Sequence, residues 1–583
     1  MKIKFRYTIA ILVTLGIFQV THAQKKDENI GTEVVNVVRP YTPTVSDAFK
    51  VKETPVIEDD ENMQKEVIEY NIFSFPVAST FTPAKGKAAG VERPKREKLF
   101  NNYALLGIGN YGTINAELFA TENLNRNEYI GGMLRHLSSQ GGIDDIVLDD
   151  QYYNTGIDLT YGNRQQGYSW NADLGYQNQT YNWYGLPVDY VTFTEDAVKG
   201  IDETQTYHTL NIAGDISMKE SVFEGASLQF KRFWDAFDSA ENRFILNPSF
   251  DVSVMSEKIK LDVIADYVST TFNKGYLTEE GQDYSYFNFG AKPSIIFQRD
   301  DLSVNLGAAL FYSIGDTNGE SDSNFYIYPQ VQASYKVVGD LMVAYAGAEG
   351  ELRQNSYEQF VMENPFVSPT FGIAPTDQQY DVYVGLKGKL ASNVAYNVRG
   401  SYMNEDNRAF FVNNILSSAF TPSQFEGYEY GNSFNVVYNK LTTISFFGEL
   451  KADFSKTVRA GINGTYYSYD TDLQEAWNLP EIKIGATLDV DITKKWYAGA
   501  NLFFVGERKD IIRILDATPE GSNEVITLDS FFDINANVGY NYNERLSGFL
   551  RLNNIASQDY QRWVNYPVQS FQFMLGASYK FNF

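Results

Sequence analysis

The 583-residue chain contains no cysteine and only three histidines. The lack of cysteine excludes a disulfide framework, a thiolate metal site, a cysteine nucleophile and a lipid-modified cysteine. Positive charge is also scarce, since 48 Lys and Arg stand against 73 Asp and Glu and leave a net charge of −25. Proteins that bind nucleic acid neutralise phosphates with Lys and Arg, so we expect no nucleic-acid partner.

Long apolar runs are missing as well. The apolar segment near the N-terminus covers only residues 9–20 (IAILVTLGIFQV), and Lys2, Lys4 and Arg6 precede it. Small residues before Gln24 complete the pattern of a Sec signal peptide, which we assign to residues 1–23. No run of about 18 apolar residues follows, so no transmembrane helix is predicted. An exported chain without such a helix can still enter a membrane as a closed barrel.

The residues needed for catalysis do not come together. The predicted mature chain holds only His136 and His208, and Ser138 and Ser139 lie in the same strand as His136. Adjacent side chains of a strand point to opposite faces, so these residues cannot form a Ser-His-acid triad. His208 lies on an apolar strand face near a strand end, where a rim histidine is expected. We predict that the protein is not an enzyme and has no catalytic residues.

Two segments are rich in acidic side chains: Asp144, Asp145, Asp149 and Asp150 in the first, and Asp316, Asn318, Glu320 and Asp322 in the second. Such residues can hold Ca²⁺, but neither segment has the ligand spacing and the closing glutamate of a Ca²⁺ loop. Solvated acidic loops are the simpler interpretation. We predict no metal site and no cofactor.

Aromatic residues are abundant, at 15% of the chain, and they recur with a period of two. In residues 571–583 (FQFMLGASYKFNF) every second residue is apolar, and those between are polar, small or Met574. Residues 532–543, 325–337 and 208–218 alternate in the same way. The polar face carries Asn, Gln, Ser, Thr and Gly rather than Lys and Glu. This alternation, with aromatic residues toward strand ends, is typical of outer-membrane barrels, whereas a soluble solenoid or sandwich is the weaker alternative.

Short polar turns alternate along the chain with longer acidic or aromatic connections, among them residues 315–324 and 355–377, which we expect to be loops facing the medium. Counting from residues 103–110 to residues 571–583 predicts about 22 strands, an even number as in bacterial barrels. The predicted fold is therefore all-β, a transmembrane antiparallel β-barrel over residues 101–583, in the outer membrane of a Gram-negative cell and in contact with its lipids. Two places leave the count open: residues 407–414 could form a loop hairpin, and residues 434–454 form one unusually long run.

The C-terminal region resembles TonB-dependent receptors. The positions of recurring motifs in that family are occupied by Leu552-Asn553-Asn554-Ile555, Tyr560, Tyr566-Pro567 and Ser578-Tyr579-Lys580-Phe581. Residues 480–483 (PEIK) and 504–508 (FVGER) are also similar to family segments. The resemblance implies a 22-strand barrel that carries a solute inward.

The N-terminal region departs from that family, whose members place a globular plug before the barrel. Here residues 24–100 hold six prolines, one acidic cluster and one basic cluster. Prolines at this spacing interrupt helices and strands, and the segment is too poor in apolar residues for a core of its own. We predict an extended periplasmic segment and no standard plug. One stretch resembles a TonB box, the strand that pairs with TonB, with a generic periplasmic strand as the alternative: Glu33, Val34, Val35, Asn36 and Val37.

Two functions stay open. In the first, the barrel takes up a solute, and the N-terminal segment, inward-folded loops or another chain closes its wide lumen. In the second, it is a non-transporting subunit of an outer-membrane protein assembly or export complex that docks periplasmic and surface lipoprotein partners. Five loop aromatics could contact sugars or a partner, although girdle or loop packing is the default: Tyr181, Trp183, Tyr184, Phe410 and Phe411.

The last strand has a further predicted role. We expect it to close the barrel against the first strand, and its free edge before closure can be bound by the barrel insertion machinery through strand addition. The outward residues would then form a C-terminal assembly signal: Phe571, Phe573, Leu575, Tyr579, Phe581 and Phe583. The alternative is that Phe583 is only a girdle residue.

Overall fold

The computed structural model describes residues 99–254, 257–417, 425–515 and 522–583. Compact contacts divide the chain into two units, Met1–Arg93 and Pro94–Phe583, and every described residue belongs to the second unit. The predicted signal peptide (residues 1–23), the candidate TonB box (residues 33–37) and residues 24–98 of the predicted N-terminal segment lie outside the described ranges.

Twenty-two strands form one closed antiparallel sheet, which confirms the predicted barrel. Its first half contains β1 (Asn102–Gly109), β2 (Ile114–Asn123), β3 (Glu128–Ser139), β4 (Tyr152–Arg164), β5 (Tyr168–Asn182), β6 (Thr204–Met218), β7 (Phe223–Asp235), β8 (Ala240–Val254), β9 (Glu257–Phe272), β10 (Gln282–Arg299) and β11 (Leu302–Thr317).

The second half holds eleven more barrel strands and five short strands in the connections, β16, β21, β22, β25 and β26. In chain order these are β12 (Glu320–Val338), β13 (Met342–Arg353), β14 (Thr376–Ala391), β15 (Val394–Asn413), β16 (Leu416–Ser417), β17 (Phe434–Ser455), β18 (Val458–Thr471), β19 (Ile482–Asp491), β20 (Trp496–Val505), β21 (Arg508–Leu515), β22 (Ser522–Leu528), β23 (Phe531–Asn541), β24 (Leu546–Asn553), β25 (Gln561–Trp563), β26 (Tyr566–Pro567) and β27 (Gln572–Phe581).

The barrel closes where the first and last strands meet. β1 pairs with β27 in a register that runs from Asn102 opposite Phe581 to Gly109 opposite Met574. Closure leaves the barrel no free edge, as a spanning sheet requires because lipid cannot satisfy unpaired backbone groups. The predicted pairing of the two terminal strands is therefore confirmed.

The outer face of the barrel is apolar and carries aromatic residues at two levels. Tyr161 and Trp170 pack at 5.5 Å near one end of the strands, and His208 stacks on Trp234 at 5.1 Å near the other end. His208 also bonds the Tyr176 hydroxyl at 2.9 Å, as expected for a rim histidine. Two aromatic levels around an apolar band are the girdles of a membrane barrel.

Connections at the two ends of the barrel differ in length. Nearly all connections at the end that holds both barrel termini are tight turns, and most long ones lie at the opposite end. Short turns of outer-membrane barrels face the periplasm and long loops face the medium, so we call the second end the outer mouth. β15 and β17 have 20 and 22 residues and pair along their length to Asn413 opposite Phe434. A tilted spanning strand needs only about 9–11 residues, so this pair extends past the membrane at the outer mouth.

The two places that left the strand count open are resolved by this pair of strands. Residues 407–413 continue β15 instead of forming a loop hairpin, and residues 434–455 form a single strand. The connection expected at residues 315–324 is shorter than its composition suggested. β11 and β12 run up to a two-residue turn in which Asn318 and Gly319 adopt φ values of 52° and 87°. These positive values match the Asn-Gly turns that join antiparallel strands with their natural twist.

Two short helices occur in connections, α1 (Glu195–Lys199) and α2 (Tyr357–Glu363). Over the described ranges, no helix combines the length and the apolar character needed to cross a membrane.

The largest buried hydrophobic cluster lies at the outer mouth and joins inward-facing strand residues to loops. Its most buried members are Tyr207, Phe233, Phe272, Tyr357, Val367, Phe371, Phe434 and Tyr566.

Candidate functional site

The connection between β13 and β14, residues 354–375, forms much of this cluster, and we call it the lumen loop. It begins with α2, where the Ser356 side chain accepts a hydrogen bond from the Gln359 backbone N–H. Tyr357, Phe360 and Val361 are the buried residues of α2. Their spacing of three and four residues places them on one face of the helix. The helix therefore has an apolar face that needs a partner.

On one side, that partner is the wall formed by β6, β7 and β8. The Tyr357 hydroxyl donates to Asp235 Oδ2 at 2.7 Å, and the Tyr357 backbone N–H donates to Glu241 Oε2 at 2.5 Å. Lys231 Nζ and Glu358 Oε2 form an ion pair at 2.9 Å. Both Asp235 and Glu241 are buried, so the loop supplies the donors that two desolvated carboxylates need.

On the other side, the lumen loop pairs with β17. Val367 and Phe434 form an isolated parallel bridge, with Ser368 N–H to Phe434 O and Phe434 N–H to Phe366 O both at 3.0 Å. Phe360 packs edge-on against Phe411 of β15 at 5.8 Å.

These two walls lie nearly opposite each other in the ring. β7 is the seventh barrel strand and β17 the sixteenth of 22. A ring of this size is roughly 40 Å across, from the spacing and tilt of barrel strands. One loop that contacts both walls must cross the lumen. The lumen loop is therefore a crossbar at the outer mouth.

Other connections pack against this crossbar. Tyr566, from the connection between β24 and β27 (residues 554–571), stacks on Phe366 at 3.8 Å. Tyr184, between β5 and β6 (residues 183–203), meets Tyr566 at 4.9 Å. Ile512 and Leu528 of the β21–β22 hairpin belong to the same cluster. We call the lumen loop, residues 183–203, residues 554–571 and this hairpin the mouth cap.

Buried charges hold the hairpin in the mouth cap. Asp510 of β21 is fully buried and accepts hydrogen bonds from Asn478 Nδ2 at 2.9 Å and from the Asn413 N–H at 3.4 Å. Burial raises the pKa of the Asp510 carboxyl to about 6, although these hydrogen bonds oppose the increase. Burial also lowers the pKa of Arg508 to about 10. Arg508 donates to the carbonyl oxygens of Gln561, at 2.6 Å, and Arg562, and so ties the hairpin to residues 554–571.

A cavity of about 250 Å³ lies between the lumen loop, residues 554–571 and the nearby wall. Its lining includes six aromatic residues and several polar ones: Tyr152, Tyr181, Tyr184, Phe366, Trp563 and Tyr566, with Asp150, Gln151, Asn182, Arg562, Gln569 and Gln572. We call it the cap cavity.

The candidate residues named from the sequence lie in different environments in the structure. Phe571, Phe573, Leu575, Tyr579 and Phe583 are exposed, and Phe581, the last residue of β27, is partly exposed. Among the loop aromatics, Trp183 is buried against Phe237 and Tyr428, and Phe410 and Phe411 are buried in β15, as the default of loop packing predicts. Tyr181 and Tyr184 line the cap cavity.

Neither histidine nor acidic clusters build a site in the described ranges. His136 bonds Thr155 Oγ1 at 2.8 Å and Ser138 Oγ at 3.1 Å. Asp150 accepts from the backbone N–H groups of Gly142 and Ile143. No group of three or more metal-ligating side chains is found among the residues that the structure describes.

The lumen loop and its anchors Asp235 and Glu241 were not predicted from the sequence. Residues 355–377 were expected to be an ordinary external connection. A signal was present, because residues 360–373 (FVMENPFVSPTFGI) are too apolar for a loop that only contacts water.

No protein-family model and no curated protein matches the chain. Solved structures do match. The ferripyoverdine receptor of the outer membrane of Pseudomonas aeruginosa bound to ferripyoverdine superposes with a TM-score of 0.61 at 12% identity, covering 84% of this chain and 73% of that one. The FrpB iron transporter from Neisseria meningitidis gives 0.64 at 10% identity (83% and 82% covered), and the siderophore receptor PirA from Acinetobacter baumannii gives 0.61 at 11% (84% and 81%).

These proteins are receptors and transporters by name. At such low identity, the likeness concerns the fold. The chain has the 22-strand fold shared with these outer-membrane receptor and transporter barrels.

Proposed function

We propose that this protein is an outer-membrane barrel, similar to TonB-dependent receptors, that passes a solute across the membrane, and that the mouth cap is its outer gate. One observation carries the proposal: the lumen loop contacts opposite walls of a closed 22-strand barrel. A lumen of this width would leak without an obstruction. A loop that obstructs it must move if a solute is to pass.

The contacts of the lumen loop are suited to such a movement. They consist of a few polar anchors on β7 and β8, one short bridge to β17, and aromatic packing against other loops. All belong to connections or strand ends, which are the least stable parts of a fold. A solute that binds better when the cap is displaced would shift the cap toward its open state.

The periplasmic part of the proposal rests on sequence alone. We propose that residues 24–100 close the lumen from the periplasmic side or recruit a partner, with Glu33–Val37 as the strand that would bind TonB. Deletion of residues 25–90 should then raise ion conductance in planar bilayers or abolish the binding of that partner. If the shortened chain folds and neither property changes, the segment is dispensable and this part of the proposal is wrong.

Removal of the lumen loop tests whether the mouth cap closes the lumen. We expect a variant with residues 357–372 replaced by a short Gly-Ser linker to conduct ions in planar bilayers more strongly than the full chain, because the crossbar is gone. Heat-modifiable migration on gels would show that the variant still forms a barrel. Equal conductance of the two proteins would show that the lumen loop does not seal the mouth.

A disulfide tests whether the loop moves. Val367 and Phe434 are bridge partners, so their Cα atoms lie within the range that a disulfide spans. The chain has no other cysteine. Val367→Cys with Phe434→Cys should suppress channel openings when oxidised and restore them when reduced. The matched control is Ala333→Cys with Ala346→Cys, an adjacent pair on β12 and β13 far from the cap. Openings that persist in the oxidised cap variant would contradict gating by this loop.

Copurification distinguishes transport from the assembly-complex alternative. After mild detergent extraction, we expect the barrel alone or with a solute-binding lipoprotein. A stable set of assembly subunits would overturn the transport proposal.

A further inference from the structure

The cap cavity is lined by residues from two parts of the mouth cap. Phe366 belongs to the lumen loop, and Trp563 and Tyr566 belong to residues 554–571. A molecule in this cavity would contact the crossbar and the connection that packs on it.

Aromatic rings form much of the cavity wall. Tyr152 and Tyr181 stack with each other at 6.5 Å, and Phe366 stacks on Tyr566 at 3.8 Å. The Tyr184 and Tyr566 hydroxyls are engaged elsewhere, donating to the Pro567 and Asn432 carbonyl oxygens. Tyr152 and Tyr181 are only partly buried, and their rings offer apolar surface to the apolar face of a ring-shaped ligand.

One positive charge in the cavity lining has no ion-pair partner among the residues that the structure describes. Arg562 is exposed, and its guanidinium takes part in no ion pair of the described chain. Both oxygens of Asp150, the acidic residue of the lining, are bound by backbone N–H groups of Gly142 and Ile143. An arginine without an ion-pair partner, beside aromatic rings, has the chemistry to bind an anion. The guanidinium fork matches a carboxylate in particular.

Amide side chains complete the lining. The Nε2 groups of Gln151 and Gln572 can each donate a hydrogen bond to a hydroxyl group.

We propose that the cap cavity binds a uronic acid, a single sugar ring that carries a carboxylate. This inference rests on the proposed function, to which it adds the class of ligand. The volume of about 250 Å³ is below the usual range for drug-sized ligands and suits one ring. A neutral sugar would leave the Arg562 guanidinium without a counterion, and an aromatic carboxylate has no hydroxyl groups to accept from Gln151 and Gln572, so both should bind less well.

The test uses the full-length protein in detergent. Titration with galacturonate and with glucuronate, followed by calorimetry and tryptophan fluorescence, should show saturable binding, with glucose and benzoate bound at least about tenfold more weakly. Arg562→Gln should weaken uronate binding by about tenfold or more, and Arg562→Lys should recover part of it, because lysine restores the charge without the fork. The control is Arg551→Gln, whose guanidinium lies over Phe549 of β24, outside the cavity lining, and which should bind as the parent does.

The outcomes separate this inference from the gate. Absence of uronate binding, equal binding of glucose or benzoate, or an unchanged affinity in Arg562→Gln would overturn the ligand assignment, even if removal of the lumen loop raises conductance. Uronate binding that depends on Arg562 supports the assignment, even if conductance shows that the loop is no gate.

Discussion

At the residue scale, Asp510 shows how a single buried charge couples a loop to pH. Its carboxyl group lies in the hairpin of the mouth cap, and burial raises its pKa from 3.8 to about 6. Between about pH 4 and pH 6, the docked hairpin therefore binds more protons than the undocked one. The linkage relation then makes docking weaker as pH rises through that window, by about 3 kcal/mol in total.

Asp510→Asn should remove this dependence, because the amide has nearly the same shape and no charge to desolvate. We expect the parent protein to lose protection of the β21–β22 amides between pH 4 and pH 7, measured by hydrogen exchange corrected for the intrinsic rate, and the variant to keep it. Asp529→Asn, an exposed carboxylate just after β22, is the control. Identical pH profiles for parent and Asp510→Asn would contradict the assignment.

Phe583 tests whether the last residue acts in assembly. It is 84% exposed and packs on Phe581 at 5.4 Å. If the insertion machinery binds this edge, Phe583→Ser should lower the amount of heat-modifiable barrel in the outer membrane and expose the precursor to periplasmic proteases. Barrels already inserted should hardly change in stability, since one rim aromatic contributes only about 1–3 kcal/mol.

The matched control is Phe454→Ser. Phe454 is an exposed aromatic residue of β17 at the same end of the barrel as Phe583. It should assemble as the parent does. Normal assembly of Phe583→Ser would leave Phe583 as a girdle residue only.

At the element scale, the lumen loop depends on Tyr357. Its ring is fully buried, at 4.9 Å from Phe233 and 5.1 Å from Phe272, and its hydroxyl bonds Asp235. Tyr357→Ala should weaken docking of the lumen loop by about 3–5 kcal/mol, because it opens a cavity and removes one hydrogen bond to a buried carboxylate. Faster hydrogen exchange across residues 354–375, with unchanged heat-modifiable migration, is the expected result.

Tyr357→Phe separates packing from the hydrogen bond. It keeps the ring and should cost only about 1–3 kcal/mol. Unchanged exchange in Tyr357→Ala would mean that the loop is held by other contacts, with the bridge to Phe434 as the first to examine.

Two elements, the β11–β12 turn and the end of β15, differ from what their local sequence suggested. The Asn318-Gly319 pair is a strong hairpin signal, but its acidic surroundings suggested a long loop. Residues 407–414 were a candidate loop hairpin, and residues 407–413 lie beyond the membrane span. They form a strand because β17 is equally long and supplies hydrogen-bond partners up to Phe434.

At the scale of the whole molecule, closure determines behaviour in detergent. The pairing of β1 with β27 leaves no strand edge at which unfolding can start. The protein should fractionate with outer membranes, resist extraction by carbonate or high salt, and migrate faster on gels when unheated than when boiled. Release by carbonate would contradict a membrane-embedded barrel.

The barrel could be predicted from local sequence patterns, because strand alternation, girdle aromatics and turn residues act over a few neighbouring positions and each repeats along the chain. The closing strand, the rim position of His208 and the buried loop aromatics were predictable for the same reason. The mouth cap depends on contacts between residues that are distant in the chain. Tyr357 meets Asp235 and Glu241 across more than one hundred residues, and Val367 meets Phe434 from the opposite wall. Such contacts depend on which loops a closed ring of strands brings together, and no local pattern records that arrangement.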